Sequence, residues 1–210
     1  VYGVLSACNS GYCVIDGEDA HRPSCEIMPK RRAEAAAAAK LFGAELFQMD
    51  LMEGLFTDSR GNRVFLDYPH RDYQGENPPP GGPPLAAAAF SGLIGNDLPD
   101  SPVRRVANVL IDRKPEIVIC QCVDNLNPDH FAAALIVYKA WQLAAEQVEI
   151  GPLYLPLNHK SFYPASPDWV VDVTGYEELV EKAVCRHVSQ GGEIFLPILR
   201  ERWRTWGETI

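Results

Sequence analysis

Short apolar runs alternate along the chain with longer stretches in which apolar positions recur every three to four residues. Residues 1–7 (VYGVLSA) are the first apolar run and predict a strand, followed by a polar loop over 8–28. Pro29 suits the first position of a helix, PKRRAEAAAAAKLF, which is rich in strong helix formers and ends at Gly43. Residues 45–49 read as a second strand. Further along, 102–113 predicts a helix, 117–122 a strand, 131–147 a helix, and 151–157 and 169–173 two more strands. Thr174-Gly175-Tyr176-Glu177 has the spacing of a capping box, opening a helix toward Gln190 that Gly191-Gly192 stops. Such alternation implies an α/β fold over residues 1–210: a Rossmann-like, mostly parallel sheet with helices on both faces.

Residues 57–100 break the pattern. PHRDYQGENPPPGGPPLAAAAF holds too much Pro and Gly for regular structure, so this stretch reads as a long Pro/Gly-rich insertion. Its aromatics (Phe65, Tyr68, Tyr73, Phe90) exceed the needs of a flexible linker. They predict a segment lying over or beside the ligand cleft, as a substrate-facing lid or a homo-oligomer contact, with a disordered insertion as the alternative.

Composition narrows the function classes. The net charge of -9 argues against a non-specific nucleic-acid binder, which needs a basic face. No apolar run approaches the length of a membrane span, and the first residues lack the basic start of a secretory signal. The six cysteines show neither a CxxC pair nor zinc-ribbon spacing. They read as buried thiols in a reducing compartment, which points to the cytoplasm.

The candidate chemistry lies where the strand 117–122 hands over to a helix, at Asn127-Pro128-Asp129-His130. Open parallel sheets bind ligands at the carboxyl ends of their strands. Asn127 is a good N-cap, Pro128 suits the first helical position, and Asp129 complements the helix dipole. Capping alone accounts for those three and leaves His130 unexplained. A neutral imidazole of the kind that metals bind suits the positive end of a helix dipole.

Several stretches together resemble the LmbE-like (PIG-L type) N-acetylglucosaminyl de-N-acetylase family. VYGVLSACNSG is similar to its second strand and following loop. Arg31-Arg32-Ala33-Glu34 leading into AAAAAKLFGAE is similar to its Arg-x-x-Glu helix. KPEIVICQCVDNLNPDH resembles the strand that leads to its His-Pro-Asp-His motif. Val171-Asp172-Val173-Thr174, Glu181-Lys182-Ala183 and His187-Val188-Ser189-Gln190 resemble its closing signature. The resemblance spans nearly the whole chain outside the Pro-rich insertion.

That resemblance implies zinc-dependent hydrolysis of the acetamide of an N-acetylated amino sugar or a related small molecule. The metal, Zn²⁺ or another divalent cation, would polarise the acetyl carbonyl and lower the pKa of bound water to about 7. His130 matches a metal ligand of the family, Asp129 a carboxylate that orients neighbouring groups, and Arg31 a substrate contact. Asn9 falls in the loop that lines the family's pocket. Asn127 stands where the family has a histidine; an amide can donate a hydrogen bond to an oxyanion but cannot transfer a proton.

The departures are as informative. The family's His-Pro-Asp-Asp motif, with two further metal ligands, occurs nowhere in the 210 residues, and Val1 corresponds to the family's second strand. The first βα unit is thus expected to be missing, with the remaining ligands outside this sequence. Asp124 is a nearby carboxylate with no fixed direction. Simple structural roles stand beside the chemical ones: a surface arginine at Arg31, a turn former at Asn9, and solvated His21, His70 and His159; the segment His187–Gln190 reads equally as a helix end with a protonated His187 or as a lining of the cleft. The alternative function is a catalytically inactive relative that binds a sugar or a protein partner.

Overall fold

A computed structural model describes residues 2–8, 24–51, 55–57, 63–65, 101–121, 128–155 and 168–207. Strand β1 (Tyr2–Cys8) leads through residues outside this set to helix α1 (Ser24–Leu41) and strand β2 (Ala44–Leu51). β1 and β2 pair in parallel, Tyr2 opposite Ala44 and Ser6 opposite Gln48, with a register shift before Cys8. The unit is therefore β-α-β. Helix α1 begins five residues earlier than Pro29 predicts, so Pro29 lies inside the helix. The added turn buries Ile27, and this burial outweighs the backbone bond that proline cannot make. The predicted stop holds. Gly43 has φ +63°, a left-handed conformation that glycine adopts without a Cβ clash.

A short antiparallel pair follows, β3 (Leu55–Thr57) with β4 (Arg63–Phe65). Residues 66–100, with most of the Pro/Gly-rich insertion, lie outside the described residues, and so does its expected place over the cleft.

Helix α2 (Pro102–Arg113) matches its predicted bounds. Ser101 is its N-cap, with Oγ accepting from the Arg104 amide at 3.2 Å, and Pro102 fills the first turn. Strand β5 (Val118–Ile119), helix α3 (Pro128–Ala145) and strand β6 (Leu153–Tyr154) form a second β-α-β unit, β5 and β6 pairing in parallel. Both strands are shorter than the apolar runs suggest. Cys120 nevertheless extends the pairing, its amide donating to the Tyr154 carbonyl at 3.2 Å.

The core lies between α2, α3, β2 and β5. Val103, Val106, Ala107 and Leu110 make one stripe on α2; Ala132, Ile136, Ala140 and Ala144 make another on α3; Met49 and Val118 join them. Ala107, Ala140 and Ala144 are fully buried, and small side chains let the two helices approach closely. Side chains alternate across a strand, and β2 shows two differently occupied faces. Gln48 donates to the Arg32 carbonyl of α1 at 3.3 Å, while Met49 packs with α2. Arg105 donates to the Met49 carbonyl at 3.2 Å, and Arg113 pairs with Glu45 at 2.7 Å. The helical rise from Arg105 to Arg113, about 12 Å, matches the strand rise from Glu45 to Met49, about 13 Å. So α2 runs antiparallel along β2.

The C-terminal part departs most from expectation. Residues 169–173 are not a strand: Trp169 is 72% and Val171 75% exposed, with no alternation of burial. Trp169 instead meets Tyr154 edge to face, ring centroids 6.0 Å apart. The capping box does not form either. Tyr176 is the N-cap of helix α4 (Glu177–Val184) and makes no side-chain cap bond. Asp172 Oδ1 accepts from the Thr174 amide at 2.9 Å, and Glu177 accepts from the Gly175 amide at 2.7 Å. The tighter Asp172 turn thus takes the place of the box. The helix ends at Val184, six residues before Gln190, and a 3₁₀ turn (Val188–Gln190) follows. Gly191-Gly192 does not end the regular structure, because helix α5 (Gly192–Gly207) begins there. Among the described residues the fold is α/β, with five helices and mostly parallel strand pairs, and no helix is long and apolar enough to cross a membrane.

Candidate functional site

Two motifs from opposite ends of the sequence meet at a buried joint. On α1, Glu34 shares a stripe with Ile27 and Ala38, at spacings that place all three on one face. Glu34 is only 8% exposed and Ser189 only 1%. The Ser189 amide donates to Glu34 Oε1 at 2.9 Å, and the Ser189 hydroxyl donates to Oε2 at 2.6 Å. Both oxygens are thereby satisfied, as a buried carboxylate requires. A charge-assisted bond of that length is among the stronger kinds.

The 3₁₀ turn that presents Ser189 is fixed by its own backbone. The His187 carbonyl accepts from the Gln190 and Gly192 amides, each at 3.0 Å, and the His187 amide donates to the Val184 carbonyl at 3.0 Å. Gly192 permits this close return: a Cβ there would sit 2.0 Å from the Val184 carbonyl oxygen. Gly191, with φ 67°, ends the turn in the left-handed region.

His187 is half-buried beside this joint. Burial pushes its imidazole below the ordinary histidine range; Glu34 opposes that shift and Arg31 reinforces it. The imidazole is therefore favoured neutral, which speaks against the protonated helix end, one of the two roles its sequence position allows. The reason is the fold: desolvation and Arg31 together outweigh the attraction of Glu34. Arg31, Glu34, His187 and Ser189 form one polar cluster between α1 and the 3₁₀ turn.

Asp129 and His130 occupy the second and third positions of α3, the element that follows β5 in the chain. Asp129 is partly buried and His130 exposed. The positions agree with the sequence reading, with Pro128 first in the helix. Asn127, Asn9 and Asp124 lie outside the described residues, as do His21, His70 and His159. No group of three or more His, Cys, Asp or Glu side chains that could hold a metal occurs among the described residues. One imidazole with a neighbouring carboxylate falls short of the three protein ligands of a catalytic zinc.

Asp172 of the closing signature is a local turn former, its carboxyl held low by the Thr174 hydroxyl and amide. Lys182 pairs with Glu178 at the surface, and Ala183 is buried. Sequence reasoning left Glu34 and Ser189 without roles, although both stood in quoted motifs. The available signal was the seven- and four-residue spacing that puts Glu34 on the apolar stripe of Ile27 and Ala38.

No family model matches the chain, and no curated protein sequence matches it. Among solved structures, the conserved protein TT1542 from Thermus thermophilus is 20% identical, with 98% of this chain and 88% of that chain covered and a TM-score of 0.48. GalB, the 4-carboxy-2-hydroxymuconate hydratase from Pseudomonas putida KT2440, is 19% identical, with 100% of this chain and 79% of that chain covered. The TM-score with GalB is 0.57, so the chain is similar to that hydratase in fold.

Proposed function

We propose that this chain is part of an LmbE-like zinc de-N-acetylase, which hydrolyses the acetamide of an N-acetylated amino sugar or a related small molecule. The observation that carries the proposal is the Glu34–Ser189 joint. The Arg-x-x-Glu helix and the His-x-Ser-Gln segment resemble the same family independently in sequence, and here they interlock. The fold is proposed to be a full Rossmann-like sheet with helices on both faces, in keeping with the two differently occupied faces of β2.

In this reading His130 is one metal ligand and Asp129 the carboxylate beside it, at the carboxyl end of β5. Arg31 and Asn9 contact the substrate, and Asn127 donates to the oxyanion. The described residues do not by themselves fit a zinc ion; by the family resemblance, the other ligands would come from outside these 210 residues. A cytoplasmic location and a homo-oligomer belong to the same proposal.

A second reading has one observation in its favour. The fold match is to a hydratase, so addition of water to an unsaturated carboxylate is the competing activity. One set of assays separates the two. The chain as given, and a form extended by a segment bearing a His-Pro-Asp-Asp motif, are measured for zinc content, for acetate release from N-acetylglucosamine derivatives, and for loss of the conjugated absorbance of 4-carboxy-2-hydroxymuconate. The de-N-acetylase reading expects zinc and acetate release in the extended form, both lost in His130→Ala. Zinc binding with loss of absorbance alone supports the hydratase. An extended form without zinc or either activity leaves a binding module.

A further inference from the structure

The Glu34 carboxylate spends both oxygens on Ser189, and His187 sits two residues before Ser189 in the same turn. The turn is therefore tied to α1 through one acidic side chain, with a titratable base alongside. We propose that this joint is an acid-sensitive latch: closed while Glu34 holds Ser189, and released when His187 takes a proton and draws the Glu34 carboxylate to itself. The proposal is independent of the reaction catalysed.

The groups around His187 set the direction. From α1 it feels Glu34, which attracts a protonated imidazole, and Arg31, which repels it. On α4 and α5, Glu181 and Arg200 are joined to each other by two bonds of 2.6 and 2.7 Å, and neither is among the charges acting on His187. Arg186 and Glu193, nearby in the chain, are exposed. Among the described residues, Glu34 is thus the acidic partner acting on His187. A cationic N–H forms a stronger bond to a carboxylate than a neutral amide or hydroxyl does. Protonation consequently sets His187 against Ser189 for the same two oxygens. Ser189, 1% exposed, loses the partner of its amide when the contest goes to His187. The effect reaches beyond one side chain because His187 also anchors the backbone that starts α5, through the Gly192 amide.

The test is amide hydrogen exchange at Ser189, corrected for intrinsic chemistry, across the ordinary histidine range from about pH 8 to about pH 5. In the unaltered chain, protection should fall by about tenfold or more on acidification. His187→Gln should keep Ser189 protected and flat with pH. Arg31→Gln removes the repelling charge and should move the release midpoint to higher pH; it decides the matter if His187→Gln does not fold by circular dichroism. Protection that stays constant with pH in the unaltered chain overturns the latch. So does an Arg31→Gln midpoint that stays put or moves to lower pH.

Discussion

Replacing Ser189 by alanine removes one oxygen and leaves the backbone donor in place. The lost bond runs from the hydroxyl to Glu34 Oε2 at 2.6 Å, and Ser189 is 1% exposed, so water cannot substitute for it. A hydrogen bond to a charged group contributes about 1.5–3 kcal/mol, and the abandoned carboxylate oxygen adds to the loss. For a chain of this length each kcal/mol moves the melting temperature by about 2–4 °C, so a drop of about 3–12 °C follows. Glu34→Ala should cost more, about 3–4 kcal/mol, because it also orphans the Ser189 amide and opens a void. The two changes touch the same bond, so the double variant should fall short of additivity by about 1–2 kcal/mol. Denaturant and thermal unfolding of the four proteins measure the cycle. Additive costs, or a Ser189→Ala protein as stable as the parent, would refute the claim that this joint holds the two motifs together.

Gly151→Ala should destabilise by more than about 3 kcal/mol or prevent folding, because its Cβ would lie 1.7 Å from the Glu116 carbonyl oxygen, a backbone atom that cannot move aside; soluble yield and melting temperature report it. Trp141→Phe should cost about 1 kcal/mol in denaturant unfolding, through loss of the indole N–H bond to the Gly151 carbonyl at 2.9 Å. Arg200→Ala should lower the melting temperature only slightly, since the Arg200 guanidinium, though joined to Glu181 by two bonds, is largely exposed and screened by solvent. The folded His187 titrates below the ordinary histidine value of 6.5, chiefly through burial. Its contribution to stability is therefore complete above that value and declines as pH falls toward the lowered folded one; melting temperatures against pH should show this loss, and His187→Gln should remove it.

Much of the architecture could be read from local pattern. Helix α2 was legible to the residue because its start and register are both local: Ser101 and Pro102 mark the start, and Val103, Val106, Ala107 and Leu110 set the buried face. Gly43 marked the end of α1 for a similar reason, its left-handed φ being a property of one residue. The place of Asp129 and His130 in the first turn of α3 followed from Pro128 and the strand before it. Elsewhere tertiary contacts decided. Helix α1 extends back past Pro29 because Ile27 finds a buried place, which no local preference announces. Residues 169–173 carry a strand-like apolar composition but are exposed and lack strand geometry, because a strand needs a neighbour as well as a pattern. The charge preference of His187 was not legible from its local position, since its neighbours Glu34 and Arg31 come from a helix more than 150 residues away in sequence. The Glu34–Ser189 joint lies deepest in this second class. Each residue is ordinary in its own segment, and their chemistry exists only where folding excludes water and leaves each as the other's hydrogen-bond partner.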